Sequence, residues 1–161
     1  MKKIPLTRGK YALVDDEDYG WLIKFKWSAS WSGNRFYAKR GGSKSYMHRD
    51  IAIFNNILTN EKLFIDHKDG NGFNNQKSNL RMCTPGENTR NSKGKRVSTS
   101  KYKGVSFDFS VGRRKRWRSQ IRIDGLNIFI GIFQFEDDAA RAYNEKALAL
   151  YGEFAYLNEV T

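Results

Sequence analysis

Between Leu63 and Asn91 the chain reads LFIDHKDGNGFNNQKSNLRMCTPGENTRN, and no other stretch restricts its fold as tightly. A short apolar run ends in Asp66 and His67. Asp-Gly and Asn-Gly follow at once, pairs that turn a chain instead of extending it. SNLRMC then reads as a second short strand. Beyond it, Thr84 is a candidate N-cap, Pro85 stands where its missing N–H does no harm, and Glu87 can close a capping box. The predicted order is strand, turn, strand, helix. The same segment joins a carboxylate, an imidazole and the amides of Asn79 and Asn88 in a stretch too polar for ordinary core.

Those residue types suit phosphodiester hydrolysis, which needs an in-line water, a group to take its proton, and positive charge on the phosphate and leaving oxygen. His67 is the candidate base, because imidazole titrates near neutral pH. Asp66 offers an anionic oxygen, and Asn88 a neutral carbonyl oxygen, to a hard divalent ion. Two protein ligands leave positions for substrate and water, as Mg²⁺ usually requires. Neighbours on a strand point to opposite faces, so Asp66 and His67 converge only if the chain bends. The DGNG turn supplies a bend, and Asn79 can hold it through backbone hydrogen bonds. His48 could touch a phosphate, but a histidine at a helix start more commonly orders the chain. Cys83, in an apolar strand, reads as buried packing.

Charge indicates what such a site would meet. Among 161 residues the net charge is +12, which points to a polyanion, nucleic acid first. No apolar run approaches the ~20 residues of a spanning helix, and no signal-peptide core follows MKKIPLTRGK. A single cysteine permits no internal disulfide. A reduced intracellular, cytoplasmic setting is expected, with no secretion. The charge is also polarised: residues 101–122 hold 8 basic and 1 acidic side chains, and residues 123–161 hold 2 and 7. One face of the C-terminal part is therefore expected to meet phosphates.

The remaining chain divides into blocks. Residues 1–46 read as short strands, with Trp21, Trp27 and Trp31 as their core. Met47, Ile51, Phe54 and Leu58 fall at helical intervals. Residues 92–101, SKGKRVSTSK, read as a basic linker. Farther on, alternation in SQIRID and LNIFIG, with Ile121, Ile123, Ile128 and Ile130 inward, predicts two strands joined at Asp124–Gly125. The same alternation puts Arg118, Gln120 and Arg122 on the opposite face. EDDAARAYNEKALALYG predicts a helix with acids at its N-terminus and Ala139, Tyr143, Ala147 and Leu150 on one side. A three-stranded sheet against one helix is the expected unit.

The run D-H-x-D-G-x-x-x-x-N, S-N-L-R, E-N-x-x-N closely resembles the HNH endonucleases, and more narrowly the homing endonucleases encoded by phages and mobile introns. LTRGKYALVDDEDY and YMHRDIA extend the likeness upstream. The resemblance implies a ββα-metal fold and one divalent ion, Mg²⁺ or Mn²⁺, on Asp66 and Asn88. It also implies His67 as general base and Asn79 in a structural position, within a phage or bacterial host. Residues 102–158, through YKGVSF, WRSQIRI, FIGIF, EDDAARAYNEKAL and YGEFAYLN, resemble the plant APETALA2-type DNA-binding domain. In that family the sheet lies in the major groove. Lys103, Trp117, Arg118, Gln120 and Arg122 fall on the matching strands, with Phe129 where Trp is usual. Ser106 replaces a base-reading Arg, so base preference does not carry over. A longer loop at 107–116 brings Arg113, Arg114, Lys115 and Arg116, expected on phosphates.

The expectation is an α+β protein with an HNH nuclease domain at 1–91, a linker at 92–101 and an APETALA2-like domain at 102–161. Its function would be site-specific cleavage of double-stranded DNA by a monomer, without membrane or small-molecule cofactor. A single centre cuts one strand per engagement, which points to nicking. The rival readings are a DNA-binding regulator on a decayed nuclease scaffold, against which the intact Asp66, His67, Asn79 and Asn88 speak, and an RNA-binding or RNA-cleaving protein.

Overall fold

The computed structural model describes residues 1–33, 35–60, 62–93, 98–110 and 116–160. They form a mixed α/β molecule of small antiparallel sheets and four α-helices, and the chain divides into two compact units, Met1–Asn88 and Thr89–Thr161.

In the first unit, β1 (Lys2–Pro5) pairs with β2 (Tyr11–Val14) and β3 (Trp27–Ser32) with β4 (Arg35–Arg40), both antiparallel. Between them the structure departs from the all-strand expectation, since Asp16–Leu22 is a helix, α1. Three acids, Asp16, Glu17 and Asp18, occupy its first turn, where the helix dipole favours them. Asp18 is buried and accepts hydrogen bonds from Trp21 Nε1 (3.2 Å) and Asn55 Nδ2 (3.0 Å). Leu22 is buried beside Trp27, whose Nε1 donates to the Leu22 carbonyl at 2.8 Å. Trp21 packs at the edge of this core. Trp31 does not belong to it: it is 49% exposed, near the end of β3, with its ring edge-on to Phe36.

The predicted helix at Met47 is shorter than its periodicity suggested. α2 spans Met47–Phe54, burying Met47 and Ile51 while Phe54 stays exposed against Trp21. Asn56, at a φ of 55°, follows where the helix has stopped. The next elements are β5 (Phe64–His67), antiparallel to β6 (Leu80–Cys83), and α3 (Pro85–Arg90). The capping box forms: Thr84 N–H donates to Glu87 Oε2 at 2.7 Å, and Glu87 N–H to Thr84 Oγ1 at 3.3 Å.

The second unit is built on a sheet in the order β7 (Val105–Phe107), β8 (Trp117–Ile123), β9 (Leu126–Phe133), antiparallel throughout, with α4 (Glu136–Tyr151) packed on one face. Asp124 and Gly125, at φ of 48° and 87°, make the two-residue turn between β8 and β9. Val105 and Ile121 are buried in clusters with Ala139, Ala140, Tyr143 and Ala147. The small helix residues let strand and helix approach closely. Gly104 shows how closely, for a Cβ there would lie 2.1 Å from the Tyr143 ring. Two inward expectations fail. Leu150 is exposed because Tyr151, four residues after Ala147, packs in its place. Ile128 is 38% exposed on the edge strand β9, whereas Ile130 packs inward beside a register shift at Ser119/Gln120.

Candidate active site

β5 carries Asp66 and His67 into the first unit as adjacent side chains, each only 2% exposed. Both line a cavity of about 320 Å³ together with Asn88 from α3, so the strand and the following helix bring the three proposed functional residues to one space. Arg35, Tyr37, Tyr46, His48 and Arg49 complete much of its lining.

Burying a carboxylate and an imidazole requires partners. For Asp66 the partner is Arg81, directly opposite in the β5–β6 register. Its Nε and Nη2 both donate to Asp66 Oδ2, at 3.1 and 2.8 Å. For His67 it is Asn75, whose Oδ1 lies 3.3 Å from Nε2. Asn75 Nδ2 donates to the Phe73 carbonyl at 3.1 Å, which turns its Oδ1 to the ring. An amide oxygen only accepts, so in this arrangement the hydrogen sits on His67 Nε2 and the lone pair on Nδ1. Burial pushes the His67 imidazole below its ordinary range, with the Asn75 hydrogen bond opposing. The ring is therefore neutral at working pH and able to accept a proton.

Asn79 lies apart from the cavity and holds the turn after His67. Its Oδ1 accepts from Asp69 N–H (3.1 Å), and its Nδ2 donates to Asp69 Oδ1 (3.0 Å) and the Asn74 carbonyl (2.8 Å). Gly72, in the same turn, sits so close to β4 that a Cβ would fall 2.2 Å from the Phe36 carbonyl oxygen.

His48 is edge-on to His67, with ring centroids 4.9 Å apart, and also contacts Tyr37 and Tyr46. Burial, and then the neighbouring His67, bring its imidazole down to about 3. Burial likewise pushes the Tyr37 phenol up. The Cys83 thiol is pushed up to about 11, chiefly by burial, and it donates to the Phe64 carbonyl at 3.7 Å, so it is no nucleophile at neutral pH.

Among the described residues no three His, Cys, Asp or Glu side chains cluster. Besides the imidazoles of His48 and His67, the cavity offers one carboxylate, Asp66, and one carboxamide, Asn88. That set fits a hard ion that keeps several waters, and not a closed thiolate or imidazole cage.

In the second unit, β8 alternates. Arg118 and Arg122 are exposed and Gln120 half-buried, while Ser119 and Ile121 are buried. Phe129 pairs with Gln120 and is 54% exposed, with the Arg118 guanidinium 5.3 Å from its ring centroid. Arg116 is exposed beside Phe107. Two further expected DNA contacts are otherwise engaged. Trp117 packs on the Tyr102–Val105–Ala139–Ala140 cluster, and Lys103 Nζ donates to the Arg90 and Ser92 carbonyls, both at 2.6 Å. Arg113, Arg114 and Lys115 lie outside the described residues.

Reading the sequence alone missed four cavity or support residues: Asn75, Arg81, Arg35 and Arg49. Asn75 closes the D-H-x-D-G-x-x-x-x-N string, a signal that could have found it. Arg81 could have come from pairing LRMC against FIDH. No local signal marks Arg35.

Over 155 residues the chain is 31% identical to an uncharacterized HNH endonuclease of Acanthamoeba polyphaga mimivirus, a match covering 95% of this chain and 77% of that protein. It is also 39% identical over 62 residues to Protein 3.8 of Escherichia phage T7, spanning 38% of this chain and about half (49%) of that one. No family model and no solved structure matches.

Proposed function

The chain belongs to the HNH endonuclease family, and from that premise we propose that it is a metal-dependent, site-specific DNA endonuclease of the homing type. The observation that carries the reading is the convergence of Asp66, His67 and Asn88 on one cavity, with the His67 tautomer set by Asn75.

In this mechanism His67 takes the proton of the attacking water at Nδ1, while its Nε2–H stays on Asn75 and keeps the ring from turning. Asp66 and Asn88 would hold Mg²⁺ or Mn²⁺, which when bound supplies positive charge at the phosphate and leaving oxygen. Arg81 fixes the Asp66 carboxylate from behind, as a supporting partner orients a metal ligand. Asn79 keeps the turn after His67 in one shape. Tyr37, Tyr46 and His48 line the same cavity, which at about 320 Å³ has room for a phosphodiester.

The second unit supplies target choice. Its APETALA2-like sheet turns Arg118, Gln120 and Arg122 away from α4, and those side chains read base edges in the major groove. Arg116, with the neighbouring basic residues of 113–115, meets phosphates and adds a salt-dependent, sequence-blind affinity. One catalytic centre in a monomer nicks one strand per engagement.

The test is incubation of supercoiled plasmid with the protein and Mg²⁺, with and without EDTA, in the presence of duplex DNA or RNA competitors. Nicked circles that vanish with EDTA and are suppressed by duplex DNA are expected. Tight duplex binding without nicking would favour the regulator reading, and suppression by RNA alone would favour an RNA substrate.

A further inference from the structure

Two of the cavity's cations are in no ion pair among the described residues. Arg35 starts β4 and Arg49 lies in the first turn of α2, and both line the space that holds Asp66 and His67. Neither is in an ion pair among the described residues, whereas Arg40, Arg81 and Arg141 are paired with Asp50, Asp66 and Asp138. Two half-buried like charges converging on one concavity are unfavourable unless an anion completes it.

His48 adds a separate observation. Its Nδ1 is buried and, among the described residues, has no hydrogen-bond partner. The ring is not loose, for it is stacked on Tyr46 at 5.6 Å and 16° and abuts Tyr37 and His67. A buried imidazole nitrogen held by three rings and left unsatisfied calls for a group that arrives later.

We propose that Arg35, Arg49 and His48 form the phosphate-binding wall of the cavity, taking the non-bridging oxygens of the phosphodiester that is cut. The assignment rests on the nuclease reading above. It divides the site by chemistry: the wall from β4 and α2 binds phosphate anion, and the wall from β5 and α3 holds the metal ligands and base. Charge on the non-bridging oxygens rises as water adds to phosphorus. Guanidinium groups fixed there in advance stabilise the transition state more than the ground state. Planar guanidinium forks suit two oxygens of one phosphate, and neutral His48 adds one N–H without adding a third charge.

The experiment maps the cleaved linkage, then measures single-turnover rates on duplexes with either the native phosphodiester or a methylphosphonate at that position. The methylphosphonate replaces one non-bridging oxygen by methyl and removes the charge. Arg35→Ala and Arg49→Ala are each expected to slow native cleavage by ~10²-fold, the scale for losing one preorganised donor. On the methylphosphonate the same variants should lose less than about threefold, because the charge they neutralise is gone. His48→Gln, which keeps an N–H donor, should retain more native activity than His48→Ala. Arg35→Lys and Arg49→Lys provide folded, charge-keeping controls, checked by circular dichroism and duplex affinity. Equal losses on both substrates, in a protein that cuts, would mean that the arginines only support the fold, and would overturn the wall. A wild type that cuts neither substrate in Mg²⁺ would instead remove the nuclease reading itself, and the wall with it.

Discussion

The two units solve opposite problems with polar side chains. The first buries them: Asp66 on Arg81, His67 on Asn75 and Asn79 across its own turn are all enclosed and hydrogen-bonded. The second displays them, with Arg118 and Arg122 on the open face of a sheet whose other face is packed on α4. An enclosed polar pair is fixed in place but fails when either partner is removed, since the survivor is left uncompensated. An exposed side chain can be exchanged at little cost to the fold. Chemistry that must be held to a fraction of an ångström belongs in the first kind of setting, and sequence reading in the second.

Arg81→Ala should have the largest effect on the fold. It removes the cation paired with the buried Asp66 carboxylate, and breaking a buried ion pair from one side typically costs about 3–5 kcal/mol. Denaturant unfolding of the full chain should show a loss on that scale. A loss as small as that of a surface substitution would mean that the first unit is not organised around its buried pairs.

Acid should expose the same difference. The folded-state value of His48 is depressed to about 3 from 6.5, so below pH 6.5 the unfolded chain binds a proton that the folded chain refuses. Its contribution is intact above 6.5 and is lost as pH falls towards 3, by up to ~1.4 kcal/mol per pH unit. His48→Gln should flatten that part of the stability curve. An unchanged slope would contradict the burial assigned to the ring.

The smallest effect on the fold belongs to Arg118→Ala or Arg122→Ala, within about 0.5 kcal/mol of wild-type stability. Their effect appears in binding instead, as ~1–3 kcal/mol of lost discrimination at particular base pairs. A base-substituted target panel at several salt concentrations measures it. Uniform weakening of all duplexes would move these residues from base reading to phosphate contact.

The same contrast explains what the sequence made legible. The Thr84–Glu87 capping box, the Asp124–Gly125 turn and the alternation across 118–122 are local patterns, and each appears in the structure. The convergence of Asp66, His67 and Asn88 could be anticipated because 23 positions hold all three across two short strands and one helix. What could not be read was long-range. α1 was hidden because DDEDYGWLI carries its helix signal in acids at the first turn, while the contacts that seat it, Asp18 with Asn55 and Leu22 in the core, are distant in the chain. Trp31 looked like core because an aromatic in a strand does not announce which end of a hairpin it occupies. Arg35 and Arg49 enter the cavity through the packing of β4 and α2, which no spacing in the chain encodes.

In the proposed mechanism the enclosed His67 of the first unit removes the proton from the attacking water. Single-turnover cleavage of a bound duplex by wild type and His67→Ala in saturating Mg²⁺, with duplex affinity measured in parallel, tests it most directly. A rate lower by ~10²–10⁴ with affinity nearly unchanged is expected. A folded His67→Ala protein that cuts within about threefold of wild type, well short of that general-base range, would contradict it.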